Sequence, residues 1–439
     1  MLTATFFLVV TAVGTVLALM RGPFWALLVY ANVYFNSPHP GVNWWAASLP
    51  DVRWSLFAFA VLGLSMVLHR DRLATHENST LKWIFAFLVL TLITSHANPA
   101  DIETAREYSY MLFTFFLIGY ALVKTLADLD QLKFFLLLVI AFATNLSIKA
   151  VTEGKRIHAR LENIGTADAL GSNEFGLLLV AIIPLLIPFL FHGKLWERIC
   201  CLLALPLLIN AVILTSSRTA IVALVGAALF CALFLADVKV KKYFVIFTVL
   251  VVPAFISLAD EYFIERMSTL FVSDQVSQEQ LDEISSGRLA IWGHGLEMSA
   301  DYPLGAGPGG FRAMSRFYMP EEILVYKPGR TYGARAAHSS YLLVLVEQGW
   351  VGLLLYLTLC FSALWMLIRN IVLYKRKERL HTFSGFLLMG LCFSLLTVLI
   401  GSHFTSRVYY EFFWWQIALS VIGSSLAARW LEENLDIAG

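Results

Sequence analysis

What most limits the possible folds of this chain is a succession of apolar stretches, each about as long as the hydrocarbon core of a bilayer is thick. A helix rises 1.5 Å per residue, so about 20 apolar residues cross roughly 30 Å. Such stretches fall near 54–69, 83–96, 108–126, 132–149, 173–191, 199–215, 219–236, 243–259, 345–368, 384–403 and 411–428 of the 439 residues. The segment 3–36 is broken by Arg21-Gly22-Pro23 and reads as two short crossings or as one crossing plus a re-entrant piece, for a total of about 12 or 13. Only 14% of the residues are charged, against about 25% in soluble domains. The expected fold is therefore an all-α polytopic membrane protein of about 12 transmembrane helices.

Short loops rich in lysine and arginine set the expected orientation. Arg70, Arg72 and Lys82 flank one such loop, Lys194 and Arg198 a second, Lys239, Lys241 and Lys242 a third, and Arg369, Lys375, Arg376, Lys377 and Arg379 a fourth. These alternate consistently and are expected to be cytoplasmic. The opposite side then receives 150–172, the turn from Thr215 to Thr219, the long segment 260–337, and 404–410. The chain divides into N-terminal crossings (1–259), one large loop with amphipathic helices (260–337) and C-terminal crossings (338–439). That loop is rich in aromatics, Gly and Pro and is expected to fold.

Net charge of +1 gives no global field for nucleic acid. The cysteines (Cys200, Cys201, Cys231, Cys360, Cys392) lie in apolar runs and read as small core residues. No basic n-region or cleavage site precedes the first apolar run, which is expected to persist as an anchor. No repeat of broken helices marks an inverted-repeat transporter. No nucleotide fingerprint and no acidic pair suited to a divalent metal stands out on the outer side, Asp282-Glu283 being too exposed, so neither cofactor nor metal is expected.

The segment 260–337 holds eleven acidic residues against seven basic ones, so position rather than number selects the candidates. Arg218, in Thr215-Ser216-Ser217-Arg218-Thr219, sits between two crossings with almost no loop to carry it into water. It either snorkels to headgroups or faces a polar cavity, and the flanking hydroxyls favour the cavity. Arg288 precedes Leu289, Trp292 and Leu296, an amphipathic stripe that Ser285 or Ser286 can cap. Its guanidinium then stands beside free backbone N–H groups, a phosphate cradle, unless it pairs with Asp282 or Glu283. His338 opens an apolar stretch where the chain re-enters the membrane, and titrates near neutrality. Glu347 lies half a turn round from it and is expected to satisfy a buried partner. Pro303 to Phe311 reads as a glycine-rich turn that packs the loop closely. Asp168 and Glu174 either bind acceptor hydroxyls or form a turn and helix cap.

Taken together, Ser217-Arg218, Ser286-Gly287-Arg288 with Trp292, Pro303-Leu304-Gly305-Ala306-Gly307, and His338-Ser339-Ser340-Tyr341-Leu342 with Glu347-Gln348-Gly349 resemble the O-antigen ligase and polymerase superfamily, its ligase branch in particular. The resemblance implies a GT-C-like bacterial inner-membrane glycosyltransferase with its active site facing the periplasm. It implies transfer of a glycan from undecaprenyl pyrophosphate to the lipid A core oligosaccharide of lipopolysaccharide, inverting and without a metal. It places Arg218 and Arg288 at the pyrophosphate, where Arg160 and Arg156, on the same outer side, are further candidates. It makes His338 and Arg288 catalytic and leaves Asp168, Glu174 and Tyr341 as acceptor-side candidates. Tyr34-Phe35-Asn36-Ser37-Pro38-His39-Pro40 is also similar to a protein O-glycosylation branch, which leaves the acceptor open.

Three other readings compete. An O-antigen polymerase carries two substantial outer loops, where one is large here. A lipid-linked oligosaccharide flippase needs charges along a mid-bilayer path, where the crossings here are nearly charge-free. A scaffolding protein has no use for an exposed basic, histidine-bearing site.

Overall fold

The computed structural model describes residues 2–76, 80–97, 99–157, 160–268, 287–327, 330–331 and 333–436. Every expected crossing is helical. In chain order the helices are α1 (Leu2–Arg21), α2 (Pro23–Asn36), α3 (Trp54–Leu68), α4 (Thr80–Ala97), α5 (Ile102–Thr125) and α6 (Leu129–Thr152). Then come α7 (Ser172–Ile182), continued through a tight turn by α8 (Ile187–His192), α9 (Leu195–Thr215), α10 (Arg218–Phe230) and α11 (Val238–Leu258). Among the described residues ten helical segments are long and apolar enough to cross a membrane. Pro23–Asn36 and Trp54–Leu68 are shorter, and the C-terminal helix is more polar. The chain is an all-α polytopic membrane protein.

The ambiguity at 3–36 resolves into two helices that pack on each other. Pro23 has no N–H to continue α1 and disfavours helical backbone before it. Gly22 accordingly takes φ 115.

The large loop is folded where it is described. It contributes α12 (Glu261–Ser268), α13 (Arg288–Asp301), α14 (Gly310–Tyr318) and α15 (Glu321–Leu324) before α16 (Ser340–Arg376), α17 (Phe383–Gly401) and α18 (Glu411–Asp436) complete the bundle. Ile291, Met298, Phe311, Met319 and Val346 form a small core joining α13 and α14 to α16. Two antiparallel hairpins depart from the all-helical expectation: β1 (Lys155–Ile157) with β2 (Arg160–Glu162), and β3 (Val325–Lys327) with β4 (Arg330–Thr331).

The centre of the bundle is the crossing Ser172–His192, 89% of whose apolar window is buried, packed on Phe383–Gly401 with 83% buried. Pro184 and Pro188 tighten the first of these, and Ser394 of α17 donates to the Ala181 carbonyl beside that turn. In hydrocarbon every backbone polar group needs such a partner. By contrast α11 is only 17% buried. Its Val245, Val249 and Ile256 are exposed, as lipid-facing residues are.

Because successive helices alternate in direction, the loops bearing Arg70, Lys194, Lys239 and Lys377 fall at one end of the bundle. The 153–171 segment, the Ser216-Ser217 turn, the large loop and 402–410 fall at the other. The central crossing thus delivers Asn173 and Glu174 to the end where the loop packs.

Candidate active site

Several helices begin beside one another at that end. α9 stops at Ser216, which takes the left-handed conformation (φ 48), and Ser217 caps α10 by accepting from the Ala220 N–H. Arg218 therefore occupies the first position of α10, held at the membrane boundary by a two-residue turn. The Ser217 hydroxyl donates to Asn173 Oδ1 at 2.9 Å, and Arg160 on β2 donates to the same oxygen at 3.0 Å. One amide thus ties the hairpin, α7 and α10 together. Asn173 was overlooked at the sequence level in favour of its neighbours Asp168 and Glu174; its position at the start of a crossing was the available signal.

Arg288 is the first residue of α13, behind Gly287 at φ 67. The capping serines expected there, Ser285 and Ser286, and the possible partners Asp282 and Glu283 lie outside the described residues. Burial pushes the Arg288 pKa down, and the positive charges of Arg218 and Arg160 add to this while Glu174 opposes it. Its Nε is buried without a hydrogen-bond partner among the described residues. Trp292, one turn on, donates to the Ala337 carbonyl at 3.0 Å and fixes α13 against the segment that carries His338.

His338 has φ 50, a left-handed conformation uncommon for a side chain with a Cβ. The residues after it are firmly tied. Ser339 caps α16, the Ser340 N–H donates to the Ser402 carbonyl at 2.8 Å, and the Ser340 hydroxyl both donates to the Thr405 carbonyl and accepts from the Arg407 N–H. Strain of this kind persists where surrounding contacts over-determine it. Burial lowers the His338 pKa, with Arg288, Arg335 and Arg160 pushing the same way and Glu174 against them. The imidazole is thus neutral near pH 7 and able to accept a proton.

Arg160, Arg218, Arg288 and His338 therefore share one electrostatic neighbourhood with Glu174. Guanidinium groups at helix N-termini suit an anion with several oxygens.

Other candidates lie elsewhere or are already engaged. Arg156 pairs with Asp260 at 2.5 Å and lies over the Tyr262 ring. Asp168 accepts from Tyr34, from Thr166 at 2.6 Å and from the Glu411 N–H at 2.8 Å, so it anchors the start of α18. Tyr341 donates to the Leu399 carbonyl at 2.8 Å inside the bundle. Arg407 is buried and donates to the carbonyls of Asn173 and Glu174 and to Thr405.

The glycine-rich turn packs against α16. α16 breaks at Gly349 (φ 69), and the carbonyls of Val346 and Glu347 accept instead from the N–H groups of Ala306 and Gly307. A Cβ on Gly305 would lie 2.5 Å from the Glu347 carbonyl oxygen, and one on Gly349 would lie 2.4 Å from that of Pro303. Only glycine fits on both sides of this contact. The buried Glu347 carboxylate accepts from the Tyr409 hydroxyl and the Phe311 N–H, a structural role as its spacing from His338 implied.

Residues 203–357, which hold Arg218, Arg288, His338 and Glu347, match the family model described as O-Antigen ligase. That match, over about a third of the chain, supports the O-antigen ligase superfamily. Its activity is accordingly glycosyltransferase-like, of the ligase or polymerase type. No curated protein matches the chain. Arg160, Asn173 and Glu174 lie outside the matched O-antigen ligase segment, so the structure adds them to the neighbourhood independently.

Proposed function

We propose that the chain is an O-antigen ligase of the bacterial inner membrane that transfers a glycan from undecaprenyl pyrophosphate to the lipid A core oligosaccharide at the periplasmic face. The observation that carries this reading is the convergence of Arg160, Arg218 and Arg288 with a neutral His338 at one end of the bundle. In the proposed step His338 takes the proton of one acceptor hydroxyl as that oxygen attacks the anomeric carbon. The bond from that carbon to the pyrophosphate oxygen breaks on the opposite face, inverting the centre. The lipid pyrophosphate leaves with the electron pair, and its new charge falls on the arginines. Deleting the gene in its host and separating envelope glycolipid on a gel tests this. Loss of capped lipopolysaccharide with accumulation of lipid-linked glycan is expected; unchanged capping refutes the ligase. Failure to extend repeats indicates a polymerase instead, and loss of glycan from protein an O-glycosylation ligase.

The periplasmic placement rests on the alternation of loops and on the lysine and arginine at the other end. Cysteine at Gln278, outside the described residues, is expected to label with a membrane-impermeant maleimide in intact spheroplasts, and cysteine at Lys377 is not. The reverse pattern overturns the orientation.

A site with this excess of guanidinium over carboxylate repels a divalent cation. Transfer by the purified protein is therefore expected to persist in excess EDTA. Activity that vanishes with chelator and returns with magnesium or manganese refutes the metal-independent step.

A further inference from the structure

At the end of the bundle opposite the arginine cluster lies a cavity of about 1070 Å³, as roomy as ordinary small-molecule sites. One face of α16 supplies Trp365, Met366 and Arg369, and one face of α18 supplies Ser424, Arg429 and Glu432. The end of α5 adds Lys124, and the segment before α4 adds Thr75 and His76. The proposed transfer uses none of these residues.

One of the cations in its wall, Arg429, is held in place by several contacts. Arg429 donates to the Thr75 carbonyl at 2.7 Å and to Ser425, and lies 2.8 Å from His76 Nδ1. An arginine can only donate, so Nδ1 is unprotonated, and His76 Nε2–H donates to the Leu126 carbonyl at 2.8 Å. His76 is thus a neutral strut that fixes the guanidinium. Among the described residues Lys124 reaches the Ala74 carbonyl, at 3.5 Å, and the Tyr120 ring. Among the described residues neither Lys124, Arg369 nor Arg429 makes an ion pair, and Glu432 makes none either. Glu77, in the same segment, lies outside the described residues. Three cations against one carboxylate leave the wall positive. Ser424, only 1% exposed, has a hydroxyl with no hydrogen-bond partner among the described residues.

An exposed tryptophan, Trp365, stands in the lining. Trp365 stacks on Phe361 with ring centroids 6.0 Å apart, and both are largely exposed on the apolar flank of α16. Positive polar walls beside an exposed apolar flank match a molecule with a phosphate head and hydrocarbon tails. Basic pockets between transmembrane helices recognise anionic headgroups in this way.

We propose that this cavity binds the phosphate headgroup of an anionic membrane lipid, with Lys124, Arg369 and Arg429 around the phosphate and Trp365 against the start of an acyl chain. The purified full chain in detergent, titrated with phosphatidylglycerol or phosphatidylcholine and read by native mass spectrometry, tests it. Phosphatidylglycerol is expected to bind in preference to phosphatidylcholine. Arg369→Gln and Lys124→Gln are each expected to weaken it by about fivefold, the effect of roughly 1 kcal/mol per basic residue. Arg429→Gln also removes ties to Thr75, so Arg369→Gln and Lys124→Gln are the primary variants. Equal binding of phosphatidylcholine, or unchanged phosphatidylglycerol binding in both primary variants, overturns the proposal. Full displacement by soluble glycerol 1-phosphate at the same concentration assigns the cavity to a free phosphate and overturns the lipid. Arg288→Lys is expected to bind the lipid as the wild type does; loss of binding there would locate the lipid at the arginine cluster and refute this site.

Discussion

Arg288→Lys is expected to reduce glycan transfer by about 100-fold although the positive charge remains. Removing one preorganised donor from a site that stabilises developing charge costs about 10² to 10³ in rate. Arg288 is suited to that role by its place at the first position of α13 and by its neighbourhood with Arg218 and Arg160. Its planar fork can hold two phosphate oxygens at once, while lysine offers a single point charge on a flexible stem. Burial sharpens the contrast, since an ammonium group is more strongly hydrated and loses more on leaving water. The measurement is transfer rate and lipid-donor binding at matched expression, with membrane insertion verified. A variant that transfers at nearly the wild-type rate removes Arg288 from the proposed site while leaving the superfamily assignment untouched.

The helices were legible because burying a backbone in hydrocarbon leaves few choices: a long apolar run has to be a helix. The break at Gly22 was visible for the same reason, since Pro23 cannot continue a helix. The hairpin at 155–162 was not visible, because three-residue strands carry almost no periodic signal. Its register explains why Arg156 and Arg160 part company. Arg160 stands opposite Ile157, and Arg156 opposite Leu161. Side chains alternate between faces along a strand, so the two arginines point to opposite sides. One meets Asp260 and the other joins Arg218 and Arg288. Tyr341 is close to His338 in sequence, but α16 begins between them and turns its hydroxyl toward α17. Whether an arginine between crossings snorkels or faces a site, and whether Asp168 binds a ligand or a helix N-terminus, depends on contacts between residues far apart in the chain.

His338→Ala is expected to lower turnover by about 100-fold or more, as loss of a general base does, while donor binding changes much less. The pH profile separates this from a merely structural effect. Burial and the charges of Arg288 and Arg335 lower the His338 pKa below its usual value near 6.5. A base works in its neutral form, so activity is present above the folded-state pKa and is lost as pH falls through it. The acid limb is therefore expected below pH 6.5. The sign for stability is the same: the unfolded histidine binds its proton at higher pH, so folding gains from neutral His338 above that value and loses the gain on acidification. Arg335→Gln removes one of the opposing charges and is expected to move the acid limb upward. His338→Ala is expected to abolish the limb in the activity that remains. A limb that stays in place in the alanine variant would mean that another group takes the proton, and His338 would then be a backbone hinge whose strain serves only the start of α16.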